Sequence, residues 1–131
     1  MKTNRSMPSS VIIPELPYPD VCQAVEWVCR TFGFVERLRI GIHRAQLSFG
    51  DGCLVVIQGN RASCSVMVRV ADVNGHYERA KQSGATIVNP PANYPYGERQ
   101  YTAEDIGGHR WTFSQTIADV DPETWGGIFF Q

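Results

Sequence analysis

Residues 97–115, GERQYTAEDIGGHRWTFSQ, predict two antiparallel strands joined by a tight turn. The first strand alternates apolar and polar side chains, as a half-buried strand does. The segment 105–108 turns the chain, because glycine accepts the positive φ that a short hairpin requires. The second strand sets Trp111 and Phe113 on one face and polar side chains on the other. The stretch therefore predicts a sheet with one face in a core and an ordered polar face, which is the candidate functional surface.

Composition limits the classes of protein that fit. The chain has 131 residues and a formal net charge of −1, so it carries no overall basic field for nucleic acid or anionic membrane. No apolar run approaches the roughly 20 residues of a spanning helix, and residues 1–10 lack the apolar core of a secretory signal. The four cysteines show no Cys-x-x-Cys spacing, which favours free thiols in a reducing compartment. We therefore expect a cytoplasmic protein with no nucleic-acid or membrane partner.

The first half of the chain predicts one βαβββ unit. Asp20 is a suitable N-cap for the amphipathic segment after it, and Gly33 supplies the C-terminal stop. A strand that opens at Val11 precedes this helix, and the prolines that follow confine it to a sheet edge or a ladder end. Three strands follow the helix, at residues 34–40, 44–49 and 53–58.

The second half repeats this order, with Asp72 and Gly84 at the ends of its helix. Strands are predicted at 64–70 and 86–89, followed by a Pro-rich loop, PPANYPYG, and the closing hairpin. The fold class is therefore α+β, with two tandem βαβββ modules whose curved mixed sheets enclose a cleft. The predicted boundaries are a flexible tail at 1–10 and one domain at 11–131, made of module one (11–59), module two (64–115) and a C-terminal tail (116–131).

Several motifs in this order resemble the glyoxalase/bleomycin-resistance/extradiol-dioxygenase superfamily, also called the vicinal oxygen chelate superfamily. They are Phe32-Gly33-Phe34 at the end of the first helix, ERAKQSGA in the second, and Glu104-Asp105 followed by Gly107-Gly108-His109 before the last strand. The resemblance implies the paired-module fold. In metal-dependent members it also implies a divalent cation, held in the cleft by His, Glu or Gln from the first and fourth strands of each module.

The resemblance places the four metal-ligand positions at Ile13, Val56, Ser65 and Thr112, counted from the helix caps and hairpin glycines. Aliphatic side chains offer no lone pair, and neutral hydroxyls are poor ligands for a divalent cation. We therefore expect a member of the superfamily that holds no metal and no other cofactor.

Period-two alternation assigns a mixed lining to the cleft, with apolar surface, hydrogen-bonding groups and two guanidinium groups. The candidate ligand-binding residues are Leu54, Val56, Gln58, Ser65, Met67, Arg69, Tyr96, Arg110, Thr112 and Ser114. Such a lining suits a small amphipathic or aromatic molecule. Two alternatives stay open: the arginines pair with Glu15 and other carboxylates, and the tyrosines only stiffen the Pro-rich loop.

No catalytic residue is predicted from the histidines or cysteines. We expect His76 to be solvated on a polar helix, His109 to lie at a turn or core edge, and Cys53 to lie on the helix-covered face with Val55 and Ile57. A nucleophilic thiol would need partial exposure and a neighbouring base, and we interpret the cysteines as packing residues instead.

These features predict a metal-independent binding protein that sequesters its ligand, as the resemblance to the bleomycin-resistance branch implies. The alternatives are a lyase, isomerase or oxygenase with non-standard or no metal ligands, and a partner module without a small ligand. We also expect a homodimer, because the aromatic tail that contains Trp125, Phe129 and Phe130 leaves apolar area to be covered.

Overall fold

The computed structural model describes residues 4–10, 12–60 and 64–126. The chain divides into two compact units: residues up to Cys64 with the turn Ile106–Gly108, and the remainder from Ser65. Each unit contains one α-helix and one four-stranded mixed sheet, so the predicted α+β repeat is confirmed. The predicted strand start at Val11 and the tail residues Phe129 and Phe130 lie outside the described residues.

The first unit has the order βαβββ. Its parallel pair is β1 with β4, the other neighbours are antiparallel, and the strand order is β1-β4-β3-β2. The elements are β1 (Glu15–Tyr18), α1 (Val21–Phe32), β2 (Val35–Ile40), β3 (Arg44–Phe49) and β4 (Gly52–Gln58).

The second unit repeats this topology, with strand order β5-β8-β7-β6 and β5 parallel to β8. Its elements are β5 (Ser65–Arg69), α2 (Val73–Gln82), β6 (Thr86–Tyr94), β7 (Glu98–Glu104) and β8 (Arg110–Thr116), followed by a 3₁₀ turn at Pro122–Trp125. Across the described ranges, no helix has the length and apolar character needed to cross a membrane.

Both helix starts and the end of the first helix are those that the capping residues predict, whereas α2 ends at Gln82 with Ser83 as its C-cap, just before the predicted Gly84. The Asp20 carboxylate accepts the backbone N–H of Gln23 at 3.0 Å, and Asp72 accepts that of Gly75 at 3.2 Å. The first helix ends at Gly33, whose φ of 84° is left-handed. These caps satisfy backbone groups that the helices leave unpaired, so both helices begin where the sequence indicates.

The strands differ most from the prediction at two boundaries, and both involve prolines. The segment predicted as a loop at 90–97 is strand β6 as far as Tyr94, and β1 begins at Glu15 and includes Pro17. Both are edge strands, and β6 shifts register between Asn89 and Ala92. Proline has no N–H to donate, but at the outer side of an edge strand or at a register shift no inter-strand hydrogen bond is lost. These two strands can therefore contain the prolines from which a loop was predicted.

The hairpin between β7 and β8 is organised around a buried carboxylate. Asp105 accepts the backbone N–H of His109 and the indole N–H of Trp111, both at 2.9 Å. Trp111 and Phe113 are fully buried with parallel rings 6.1 Å apart. Because buried polar groups are costly without partners, this carboxylate fixes the turn and the indole together.

Candidate functional site

The candidate site is the face of the second sheet that α2 does not cover. On the covered side, the His76 ring lies 4.1 Å from that of Phe113, and its Nδ1 is 2.5 Å from the Tyr101 hydroxyl. Alternation along β8 therefore turns Arg110, Thr112 and Ser114 to the other side. We call this side the open face of the second sheet.

Residues of β5 and β7 complete the open face through their pairing with β8. Ser65 is paired with Arg110, Met67 with Thr112 and Arg69 with Ser114. On the other side of β8, Glu98, Gln100, Thr102 and Glu104 are paired with Thr116, Ser114, Thr112 and Arg110. The structure thus brings together the six site residues predicted on β5 and β8.

Ser114 is the centre of a hydrogen-bond network on this face. Its hydroxyl donates to Glu98 Oε1 at 2.5 Å and accepts from Gln100 Nε2 at 3.0 Å. The other end of the Gln100 amide accepts the Tyr96 hydroxyl at 3.1 Å. Ser114 and Gln100 are only 4% and 6% exposed, so these bonds fix the orientation of both side chains.

Glu98 supplies a negative charge to the network. The pKa of its carboxyl is lowered by the Ser114 hydroxyl first, and then by Thr116 and the charge of Arg69. Arg69 Nη1 also donates to the Thr116 hydroxyl at 2.6 Å. At neutral pH the glutamate is therefore an ionised hydrogen-bond acceptor.

Apolar surface lies beside these polar groups. Met67 is 65% exposed, and its pairing partner Thr112 shares a 3.0 Å hydroxyl contact with Thr102. A face that combines an exposed thioether with oriented hydroxyl, amide and carboxylate groups can bind an organic molecule with both characters.

Three aromatic rings extend the site at the β6–β7 turn. Tyr96 stacks on Tyr94 with centroids 5.6 Å apart and lies 5.3 Å from Trp125. The C-terminal segment reaches this position because the Gly97 carbonyl accepts the N–H groups of Ile117 and Ala118. A Cβ on Gly97 would lie 2.4 Å from the Ala118 carbonyl oxygen, so glycine is required for this close approach.

The sequence did not identify Glu98, Gln100, Thr116 or Trp125 as part of this site. The sequence does contain a pattern that indicates Glu98 and Gln100, since polar side chains alternate with Tyr101 and Ala103 along β7. Their register against β8 depends on the turn, so it could not be set from alternation alone.

The prediction that Leu54, Val56 and Gln58 of β4 line the ligand site is wrong. Leu54 and Val56 are 3% and 0% exposed and share a face with Leu16 and Leu47, which are fully buried. The opposite face holds the exposed Glu15–Arg44 ion pair at 2.8 Å, so the apolar side of α1 covers the face of Val56. Gln58 shares that face but is exposed at the strand end.

Cys53 is consequently misassigned as well, because it lies with Val55 and Ile57 on the side of the Glu15–Arg44 pair. The reason is that Leu54, Val55 and Val56 are all buried, so β4 has no polar alternation from which to determine its facing. The partner of Glu15 is therefore Arg44, and not Arg69 or Arg110 as in one of the alternatives left open by the sequence.

Neither His76 and His109 nor the thiols of Cys29 and Cys53 show the features of an activated nucleophile. The prediction that His76 is solvated is wrong, since it packs on Phe113 and Tyr101. His109 is fully buried beside Asp105. Burial raises the pKa of the Cys53 and Cys29 thiols, which keeps them protonated at neutral pH.

The residues at the metal-ligand positions do not fit a divalent cation. Strand pairing matches Met67–Thr112 of the second sheet with Glu15–Val55 of the first, so Val55 rather than Val56 is the counterpart of Thr112. A valine offers no lone pair in either register, and the Thr112 hydroxyl is bonded to Thr102. Within the described ranges, no group of three or more His, Cys, Asp or Glu could hold a metal ion.

Residues 12–113 match the Glyoxalase/Bleomycin resistance protein/Dioxygenase superfamily. The chain belongs to this superfamily, as the two βαβββ units and the sequence motifs predicted.

Solved structures show the same fold. TioX from Micromonospora sp. ML1 is 36% identical, with a TM-score of 0.76 over 83% of this chain and 100% of that chain. A glyoxalase/bleomycin resistance protein/dioxygenase from Nocardioides is 18% identical, with a TM-score of 0.69 over 92% and 91% of the two chains. The fosfomycin resistance protein FosX from Listeria monocytogenes is 16% identical, with a TM-score of 0.67 over 83% and 94%.

Proposed function

We propose that this chain binds a small amphipathic or aromatic molecule on the open face of the second sheet, without a metal ion. The observation that carries the proposal is the Glu98–Ser114–Gln100 network, which holds hydrogen-bonding groups in fixed orientations beside the exposed Met67. Such an arrangement lowers the ordering cost of binding, because the polar groups are already positioned.

Each part of the face has a distinct role in this proposal. Burial of ligand surface against Met67 and Tyr96 supplies affinity at about 25 cal/mol per Å². Arg69 and Arg110 orient acidic or carbonyl groups of the ligand through charge-assisted bonds. The protein acts by sequestration, and no residue forms or breaks a bond.

The comparisons support a small-molecule role for the fold without specifying the ligand. FosX is a fosfomycin resistance protein, and at 16% identity its likeness to this chain concerns the fold. The donor chemistry at Val55, Ser65 and Thr112 supports the metal-free form of the proposal.

The test is a thermal-shift screen of amphipathic and aromatic compounds on protein dialysed against a chelator. A compound that raises Tm is then titrated calorimetrically into wild type, Arg110→Ala and, as a control on the exposed start of β6, Thr86→Ala. We expect Arg110→Ala to weaken binding by about tenfold or more and Thr86→Ala to leave it unchanged. Equal affinities in all three, or chemical conversion of the compound, would contradict the proposal.

We further propose that the chain forms a homodimer. Trp125 and Met67 are 47% and 65% exposed, which leaves apolar side chains for a second copy to cover. Sedimentation at micromolar concentration should give twice the monomer mass. A monomer at that concentration contradicts this part of the proposal.

A further inference from the structure

The first unit contains a cavity of about 470 Å³, and none of its lining residues belongs to the proposed ligand site. Its volume is in the range of small-molecule pockets. It lies between the segment before β1, the β3–β4 hairpin and β2. The lining residues are Pro8, Ser9, Ser10, Arg37, Ser48, Gly50, Asp51, Gly52 and Cys53.

Arg37 is the cation of this cavity, and buried groups position it. Its Nη1 donates to the Gln46 side-chain oxygen, and its Nη2 donates to the Arg5 carbonyl at 2.8 Å. Gln46 is 3% exposed, and its amide nitrogen donates to the Ser6 carbonyl at 2.9 Å. The guanidinium is therefore held by a buried amide and by the N-terminal segment.

Both of these acceptors are neutral, so they leave the positive charge of Arg37 uncompensated. None of the three ion pairs found in the described ranges includes Arg37. A guanidinium has five N–H donors in a planar fork, and this geometry matches a carboxylate. The cavity thus presents a positioned cation with donor capacity remaining.

Hydroxyl groups and one carboxylate complete the lining. Ser9, Ser10 and Ser48 contribute hydroxyls, and that of Ser10 also donates to the Asp51 carbonyl at 3.2 Å. Asp51 itself adds a negative charge that forms no ion pair with Arg37 among the described residues. Because one positive and one negative charge line the cavity, a singly charged anion is favoured over a dianion.

We propose that this cavity is a second binding site, for a small organic monocarboxylate. The carboxylate pairs with the guanidinium of Arg37, and the serine hydroxyls bind further polar groups of the ligand. The N-terminal segment, residues 4–10, is part of the site because it supplies both lining residues and an acceptor that holds Arg37.

Lactate is the probe, with lactamide as its neutral counterpart and inorganic phosphate as the more highly charged anion. Binding is followed by amide chemical shifts of Ser48, Gly50 and Gly52 at constant ionic strength. We expect saturable shifts with lactate at millimolar concentration and at least tenfold weaker binding of lactamide and of phosphate. Equal affinity for lactate and lactamide, or no saturable shift with lactate, would overturn the proposal.

Three variants assign the effect to the charges. Arg37→Gln should weaken lactate binding by about tenfold. Asp51→Asn, which suits the same turn, should strengthen it by about twofold to fivefold and improve phosphate binding. Arg99→Gln is the matched control, because Arg99 is also held by two neutral oxygens, from Asn74 and Asn93, and does not line the cavity.

An unchanged affinity in both Arg37→Gln and Asp51→Asn would overturn the assignment even if lactate binds. If Arg37→Gln disturbs the N-terminal segment, the change in lactate affinity caused by Asp51→Asn still tests the proposal. The outcome is separable from that of the first proposal, since Arg110→Ala alters only the open face of the second sheet and should not change the lactate shifts.

Discussion

Ser114 shows how a polar residue becomes buried without destabilising the sheet. Its hydroxyl has an acceptor in Glu98 and a donor in Gln100, so the buried hydroxyl is hydrogen-bonded both as a donor and as an acceptor. The same two bonds fix the groups that the proposed ligand would meet. A single serine therefore serves both the stability and the preorganisation of the open face.

Replacing this serine tests the network at the residue scale. Ser114→Ala should lower the free energy of unfolding by about 1–2 kcal/mol, because the buried Gln100 amide loses its partner. Urea denaturation measures the change, and Thr86→Ala, on the exposed start of β6, should stay within about 0.5 kcal/mol of wild type. Equal losses in the two variants would show that the network contributes nothing.

The pH dependence of stability tests the ionised state of Glu98. Its pKa is lowered from an ordinary value of 4.5, so its contribution to stability is complete above that value and is lost as pH falls through the lowered folded pKa. The difference in free energy of unfolding between wild type and Glu98→Gln should be constant from pH 7 to 5 and shrink at lower pH. If the difference in free energy of unfolding instead grows as the pH falls, folding would raise the pKa of Glu98 rather than lower it.

Adjacent residues of β8 should respond in opposite ways. Trp111 is fully buried and bonded to Asp105, so Trp111→Ala should cost about 3–5 kcal/mol of stability. Arg110 is exposed, so Arg110→Ala should change stability by no more than about 0.5 kcal/mol while weakening ligand binding. Thermal unfolding measures the loss of stability in each variant. A larger loss for Arg110→Ala than for Trp111→Ala would mean that the two faces of β8 are assigned the wrong way round.

At the scale of elements, the sequence predicts those whose signals are local. Both helices follow from Asp20, Asp72 and the glycines near their ends, because caps act within one turn. β8 follows from alternation, since Trp111 and Phe113 contrast with polar neighbours. The extent of β6 and β1 could not be predicted, because the tolerance for their prolines comes from the edge position, which is a property of the whole sheet.

The wrong assignment of the two faces of β4 has the largest consequence for the candidate site. Leu54, Val55 and Val56 are all apolar, so either register is compatible with the sequence. The structure decides between them through the partners of β4, with Leu16 and Leu47 on one side and the Glu15–Arg44 pair on the other. Polar alternation was available in the second module, which is why its face could be assigned from sequence.

Two neighbouring substitutions test this facing. Val56 is fully buried and Ile57 is half-buried, so Val56→Ala should cost about 2 kcal/mol and Ile57→Ala about half as much, although isoleucine loses more atoms. Chemical denaturation provides both values. A larger loss for Ile57→Ala would support the facing that the sequence suggested.

At the scale of the molecule, membership of the superfamily fixes the architecture but not the chemistry. The same two βαβββ units accompany a metal in the members whose strands supply His, Glu or Gln. In this chain the corresponding positions hold Ile13, Val55, Ser65 and Thr112, which cannot replace such ligands. The binding proposed for the open face of the second sheet would therefore rest on hydrogen bonds, charge and apolar contact alone.

The binding proposed for the open face needs no metal ion. The most direct measurement is the Kd of a compound from the thermal-shift screen, in chelator-dialysed protein and again with one equivalent of Zn²⁺, Mn²⁺ or Ni²⁺. Because no group of three or more His, Cys, Asp or Glu in the described ranges could hold a metal ion, the values should agree within about twofold. A Kd that improves by tenfold or more with one of these metals would contradict metal-free binding.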